Sequence, residues 1–271
     1  MAGSSAVAEG SMLEARGIQM RYGAVEALAG VDLALRRGEV LGLVGDNGAG
    51  KSTLIKCIGG VETPTAGEVL LEGDARAIGG AEDARRLGIE TVHQSLNLID
   101  TMNVAQNFFL NRERTSRRGK LLGWIDRAAM HDETQRSLRD FDVNIGHTRR
   151  SVAELSGGQR QMVAVVRAVH WKARVVMMDE PTAALGVQQS LRVLQLARQL
   201  AEAGISVLFV SHNMDHVMHV CDRVMVLRRG RKVAELRASE TSINEIVGYI
   251  TGIDEAPARP APVAPDGSPS S

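Results

Sequence analysis

The stretch GDNGAGKST, residues 45–53, constrains what this chain can fold into more than any other. It follows the apolar run EVLGLVG (39–45) and precedes the helical run TLIKCIGG. That is the G-x-x-x-x-G-K-[ST] phosphate loop in the strand–loop–helix context it requires. Glycine at Gly45, Gly48 and Gly50 lets backbone N–H groups turn toward an anion with no Cβ in the way. The helix after the loop aims its positive end at the same anion. Lys51 supplies a mobile full charge for the β- and γ-phosphates, and Ser52 a hydroxyl for Mg²⁺. The candidate nucleotide-binding residues are therefore Gly45, Asp46, Asn47, Gly48, Ala49, Gly50, Lys51, Ser52 and Thr53.

A phosphate loop needs a strand to stand on, and the chain has more such strands. ARVVMMD (173–179) and ISVLFVS (205–211) are, like 39–45, near-continuous β-formers, which reads as strands buried on both faces and hence parallel. Asp179 and Glu180 end the first of these. Neighbouring strand residues point in different directions, so Asp179 can reach Mg²⁺ while Glu180 faces the γ-phosphate and polarises a water. Residues 160–170 carry Met162, Val165, Val166 and Val169 at helical spacing, and 191–201 are also helical, closed by Gly204. SINEIVGYI (242–250) opens with a Ser-x-x-Glu capping box and reads as a closing helix. The front of the chain differs. MLEARGIQMRY (12–22), VDLALRRG (31–38) and GEVLLEG (67–73) alternate apolar and polar residues, the pattern of an antiparallel sheet with one wet face. The middle, about 96–154, is polar and reads as an inserted helical subdomain. The fold class is α/β: a P-loop NTPase core with a mainly parallel sheet, an N-terminal antiparallel β subdomain and this insert. Residues 1–11 and the Pro/Ala/Ser-rich 255–271 are expected to be disordered, leaving 12–254 as the folded domain.

A second loop, LSGGQRQ (155–161), looks built for a phosphate yet carries no lysine. Ser156, Gly157 and Gly158 precede the helix at 160–170, so they offer backbone donors and a helix N-terminus. One chain thus has two phosphate-binding surfaces but one lysine loop. Two chains head-to-tail would make two complete sites, and a homodimer is the simplest case.

Together these residues resemble the ATP-binding cassette (ABC) ATPases, the motors of ABC transporters, over about residues 12–252. Tyr22 sits where that family stacks an aromatic on adenine. GDNGAGKST is the Walker A loop, Gln94 in TVHQSLNL matches the Q-loop, and LSGGQRQ, with Ser156, Gly157, Gly158 and Gln159, is the family signature. VVMMDEP is Walker B, with Glu180 at the general-base position, and His212 in LFVSHN matches the H-switch. The resemblance implies ATP and Mg²⁺ as ligands, the metal near Ser52, Gln94 and Asp179. It implies catalytic roles for Lys51, Gln94, Glu180 and His212, and a signature loop that faces the γ-phosphate held by the other subunit. In PTAALG (181–186) the family's usual aspartate is replaced by Gly186, which removes a carboxylate from the expected dimer interface. Residues 88–113 resemble cassettes of monosaccharide importers. That implies membrane-spanning permease subunits, indirectly a periplasmic sugar-binding protein, and a peripheral place on the cytoplasmic face of the inner membrane. The alternatives are another small solute, or a soluble ABC-type ATPase acting on nucleic acid or ribosomes.

Composition bears on those alternatives. Net charge is zero and aromatics are 3% of the chain, which opposes a polyanion-binding surface and the stacking platforms of single-strand binders. No apolar run is long enough to cross a membrane, and no signal peptide is evident. The two cysteines, Cys57 and Cys221, lack CxxC neighbours and read as small buried residues. His212, His216 and His219 share a helical spacing that can bind zinc. Met214, Val217, Met218 and Cys221 already explain an amphipathic helix there, so the expectation is one switch histidine and two solvated ones. MNVAQNFFL (102–110) is either the insert's own core or a groove for a permease segment. The run Arg112, Arg114, Arg117, Arg118 and Lys120 reads as a solvated face, with lipid or permease contact as the second reading.

Overall fold

The computed structural model describes residues 10–76, 78–93, 95–115 and 124–253. The expectations for 1–9 and 254–271, Gln94, Arg117, Arg118 and Lys120 fall outside them; Ser11, expected to be disordered, instead pairs with Arg36 as the first residue of a strand. The chain begins with two long strands, β1 (Ser11–Tyr22) and β2 (Val25–Arg36), then β3 (Val40–Val44), α1 (Lys51–Ile58), β4 (Ala66–Leu71), β5 (Asp74–Arg76), α2 (Ala81–Arg86) and β6 (Ile89–Val92). Three helices come next, α3 (Val104–Phe108), α4 (Arg127–Asp140) and α5 (Gly157–His170). The rest alternates: β7 (Val175–Asp179), α6 (Val187–Glu202), β8 (Ser206–Val210), α7 (Met214–Val220), the hairpin β9 (Arg223–Arg228) and β10 (Arg231–Arg237), and α8 (Ile243–Thr251).

The strands form two sheets. One is antiparallel, in the order β2-β1-β4-β5. The other runs β10-β9-β3-β8-β7-β6, parallel throughout except for the β10 edge. The parallel strands read as unbroken apolar runs because each alternate residue meets a different core. Val40, Val44, Val176, Met178, Val207 and Phe209 face the core built with α5, α6 and α7. Leu41, Leu43, Val175, Met177, Leu208 and Val210 face the core shared with α1 and the antiparallel sheet. The single gap in β3 is Gly42, where a Cβ would stand 3.0 Å from Cys221 Sγ and 3.1 Å from Val217. Helix α7 packs directly on that bare backbone. Cys57 and Cys221 are free and buried, and burial raises both thiols, Cys57 to about 11.

Two expectations from the sequence need correction, and two others are resolved further. Helix α7 starts only at Met214, capped by the Asn213 side chain. His212 therefore lies on the loop before the helix, and the three histidines share no helical face. His216 instead meets Thr182 Oγ1 at 3.0 Å, and no metal-holding cluster exists among the described residues. The capping box at Ser242 is half made: Ser242 Oγ accepts from Glu245 N–H, but the Glu245 carboxylate accepts from Thr241. Phe108 and Phe109 are buried, edge-on to His170 and, for Phe109, Trp171, so MNVAQNFFL is mostly core, with Met102 and Leu110 half-exposed at its two ends. Of the basic run, Arg112 stacks over Trp171 and Arg114 pairs with Glu133.

Candidate nucleotide site

The register of the parallel sheet decides where the functional side chains meet. Leu43 and Asp179 both lie opposite Val210. The last residues of β3, β7 and β8 are therefore level, and the segments that leave these strands emerge at one edge: the loop from Gly45, the carboxylates at 179–180, and His212. Open α/β sheets bind ligands at such carboxyl ends.

The phosphate loop is held by backbone contacts that exclude side chains. Gly45 has φ +150°, and a Cβ there would lie 2.1 Å from the Leu227 carbonyl. Gly50 has φ +106°, with the Ala27 carbonyl 2.8 Å from a Cβ position. The tip of the β9–β10 hairpin closes this clamp. Gly230 N–H donates to Ala49 O at 2.9 Å, and Ala29 N–H donates to Gly230 O at 2.9 Å. Within the loop, Ala49 N–H and Asn47 N–H donate to the Asp46 carbonyl and carboxylate. Lys51 Nζ donates to Gly45 O at 2.7 Å and Asp46 O at 3.0 Å, so its ammonium folds over the mouth of its own loop. Burial lowers the Lys51 pKa, while the Glu180, Asp46 and Asp179 carboxylates pull it upward. Helix α1 has no side-chain cap; its first-turn N–H groups are free to meet an anion. Ser52 is exposed at that end.

Asp179 is half-buried, and its pKa is raised, by burial first and by the Glu180 charge next. Glu180 has left the strand. It adopts a left-handed conformation, φ +52°, locked by Glu180 N–H to Val210 O at 3.0 Å and by Ala183 N–H to Glu180 O at 3.1 Å. Asp179 thus ends the strand and Glu180 begins a turn, where the sequence reading continued the strand alternation. Such a conformation costs a non-glycine residue about 1 kcal/mol or more. His212 Nδ1 stands 2.8 Å from Glu180 Oε2, with the histidine side chain 71% exposed and the glutamate 19%.

Tyr22 lies at the β1–β2 turn with its ring exposed beside α1. Its hydroxyl is engaged by Glu62, which also holds Lys56 at 3.0 Å, and the bond to Glu62 raises the phenol pKa. The signature residues sit elsewhere, at the start of α5. Ser156 Oγ accepts from Gln159 N–H, and Gln159 Oε1 accepts from Ser156 N–H. This capping box leaves the N–H groups of Gly157 and Gly158 in the free first turn. Gly158 is required by its neighbour, because a Cβ would lie 2.9 Å from Gln189 Cβ on α6. Gln159 Nε2 also donates to Asn144 O. Among the described residues no hydrogen bond or ion pair joins this loop to residues 45–53. The lysine loop and the signature loop of one chain are thus not bonded to each other. Gln94 lies outside the described residues.

Sequence reasoning missed four supports of the site: Ala27, Leu227 and Gly230, which clamp the phosphate loop, and Glu62 behind Tyr22. The hairpin turn at Arg229 and Gly230 lacks the Asn-Gly or Asp-Gly signal, and nothing local to it marks the loop it touches. Reasoning also missed Arg167, which donates to Leu96 O and Asn97 O and so ties the segment after Gln94 to α5. A cleft of about 320 Å³ opens there, lined by Glu90, Leu96, Asn107, Leu110, Arg112 and Arg167.

A mainly parallel sheet with a phosphate loop after its third strand and a carboxylate pair at a neighbouring strand end defines a P-loop nucleoside triphosphatase. Residues 28–183 match the model of the family described as ABC transporter. The fructose import ATP-binding protein FrcA of Rhizobium meliloti is 42% identical over 254 residues, 93% of this chain and 98% of the relative. The xylose/arabinose import ATP-binding protein XylG of Sulfolobus acidocaldarius is 42% identical over 89% of this chain and 94% of its own length. The solved ADP conformation of MJ1267, an ATP-binding cassette of an ABC transporter, superposes with a TM-score of 0.75 at 26% identity, covering 89% of this chain and 95% of that one. The chain belongs to the ABC transporter family, as one of its ATP-binding subunits.

Proposed function

We propose that this chain hydrolyses ATP as a dimerising subunit that powers a membrane importer of a monosaccharide. The observation that carries the reading is the span of α5. Its first turn holds the signature glycines, and its far end, through Ala164, Arg167 and Ala168, floors the cleft beside the Gln94 segment. Fourteen residues of helix are about 21 Å of stiff rod. A permease segment seated in the cleft would thus be connected to the loop that closes on ATP. The sugar-import relatives cover nearly the whole of their own length with this chain, which supports the substrate class.

In this reading residues 12–254 form the ATPase domain, with about 96–154 as its helical insert. Lys51 leaves the carbonyls of Gly45 and Asp46 to pair with the β- and γ-phosphates, and the N–H groups of 46–52 surround them. Tyr22 offers its exposed face to the adenine. Mg²⁺ fits the donor set, since the Ser52 hydroxyl and the half-buried Asp179 carboxylate are hard oxygen ligands at one edge, with Gln94 assigned by resemblance. When bound, the metal neutralises charge on the phosphates. Glu180, whose left-handed turn points it off the strand, orients the attacking water and takes its proton. His212 releases Glu180 to contact the γ-phosphate. Ser156, Gly157, Gly158 and Gln159 of the partner subunit complete the site. A permease and, through it, a sugar-binding protein are the other partners, and the subunit lies peripherally on the inner membrane. No helix among the described residues is long and apolar enough to cross it.

The test is purification of the tagged chain from detergent-solubilised membranes, with co-purifying chains identified by mass spectrometry. A multi-span permease is the expected companion. Recovery with ribosomes or nucleic acid and no membrane protein would overturn the transport reading.

A further inference from the structure

Away from the nucleotide surface, the start of α4 gathers cations around a small concavity. A cavity of about 180 Å³ is lined by Arg127, His131 and Arg149, with Asn103, Gln106 and Met130. Burial lowers the His131 pKa, and the charge of Arg149, then Arg127 and His147, lowers it further against the opposing pull of Asp132. Arg127 and Arg149 thus line one cavity around an imidazole held toward its neutral form. Neither Arg127 nor Arg149 has an ion pair or hydrogen bond among the described residues. Asp126, the acid next to Arg127, is occupied in capping α4 through Ala129 N–H at 3.0 Å.

Two exposed apolar residues immediately precede α4, two and three positions before Arg127. Trp124 is 67% exposed and Ile125 48% exposed, on the short bridge that Ile125 makes with Thr115 just before α4. A bare indole is costly in water and suited to the boundary of a lipid headgroup layer, where its ring and N–H find different partners. The chain as a whole is neutral, whereas this corner joins two arginines that line one cavity and lack an acid partner among the described residues. Helix α3 connects this corner to the cleft, since Asn103 and Gln106 line the cavity while Asn107 and Phe108 line the cleft.

We propose that this corner docks on an anionic phospholipid surface, with a headgroup phosphate between Arg127 and Arg149 and with Trp124 and Ile125 in the interfacial layer. The guanidinium fork matches phosphate oxygens, and each cation near an anionic leaflet strengthens partition about fivefold. Such a contact would orient the subunit at the membrane without any permease. It stands independently of the ATPase assignment.

The experiment is flotation of the full chain with protein-free vesicles, made of phosphatidylcholine alone or mixed with phosphatidylglycerol. The wild type is expected to float with the anionic vesicles only, and to be released by high salt. Arg127→Ala with Arg149→Ala should lower partition about 25-fold. Trp124→Phe should abolish the blue shift of emission that accompanies binding, leaving Trp171 silent. ATP turnover in solution and the melting temperature should not change in these variants. Equal flotation on both vesicles, no flotation, or full binding by the double arginine variant would overturn the proposal. Displacement by inorganic phosphate would make the cavity a free-phosphate site and overturn it too.

Discussion

Lys51, Asp179 and Glu180 place one ammonium and two carboxylates at a strand edge with only part of their charge solvated, and that frustration is measurable. The Asp179 pKa is raised by burial and by Glu180. A carboxyl whose folded pKa exceeds its unfolded one favours the native state while protonated. That contribution is lost as pH rises through the carboxylate range. Asp179→Asn should therefore raise the melting temperature of the nucleotide-free protein at neutral pH. The gain should vanish when thermal unfolding is repeated below the ordinary carboxylate range, where Asp179 is protonated anyway. The same variant should lose Mg²⁺-dependent ATP binding. Glu180→Gln keeps the left-handed turn and the contact surface but removes the base. Its steady-state turnover in a reconstituted transporter should fall about 10²–10⁴-fold with ATP binding retained; near wild-type turnover would remove Glu180 from the base position.

At the scale of elements, two glycines have opposite prospects. Gly45→Ala puts a Cβ 2.1 Å from the Leu227 carbonyl at φ +150°, so the phosphate loop must part from the β9–β10 hairpin. The expected result is a destabilisation of more than about 2 kcal/mol in denaturant unfolding. Gly186 is different. It starts α6 with φ −70° and ψ 163° and no side-chain cap, and the nearest atom to a Cβ is Gln189 Oε1 at 3.9 Å. Gly186→Asp should stabilise the chain by about a few tenths of a kcal/mol by capping α6, read as a rise in the denaturation midpoint. The sequence showed the parallel strands 39–45, 173–179 and 205–211 because both faces are buried, which leaves a continuous apolar run. It showed the antiparallel front by alternation. It did not show β6 or the β9–β10 hairpin, whose short runs gain their pairing only from β7 and β3. It misplaced His212, because a helical spacing of three histidines says nothing about where Asn213 caps the helix. It did not show the turn at Glu180, since a left-handed glutamate has no local sequence signal.

For the whole molecule, the governing fact is that one chain carries a lysine loop and a signature loop that do not touch. Whether they form one site across two copies is open to direct test with Gly157. That residue is exposed at the first turn of α5, and a Cβ there would meet only Leu185, at 3.3 Å. A carboxylate at a helix N-terminus does not harm the helix, yet it would oppose the γ-phosphate of a partner. The measurement is the molar mass by light scattering of Glu180→Gln, with and without Gly157→Glu, in Mg²⁺-ATP, alongside ATP affinity of the monomer. The account predicts that Glu180→Gln becomes a dimer with ATP. It predicts that the double variant stays monomeric while binding ATP as tightly as before. A double variant that still dimerises, or one whose monomer loses ATP as Lys51→Ala would, contradicts a site shared between subunits.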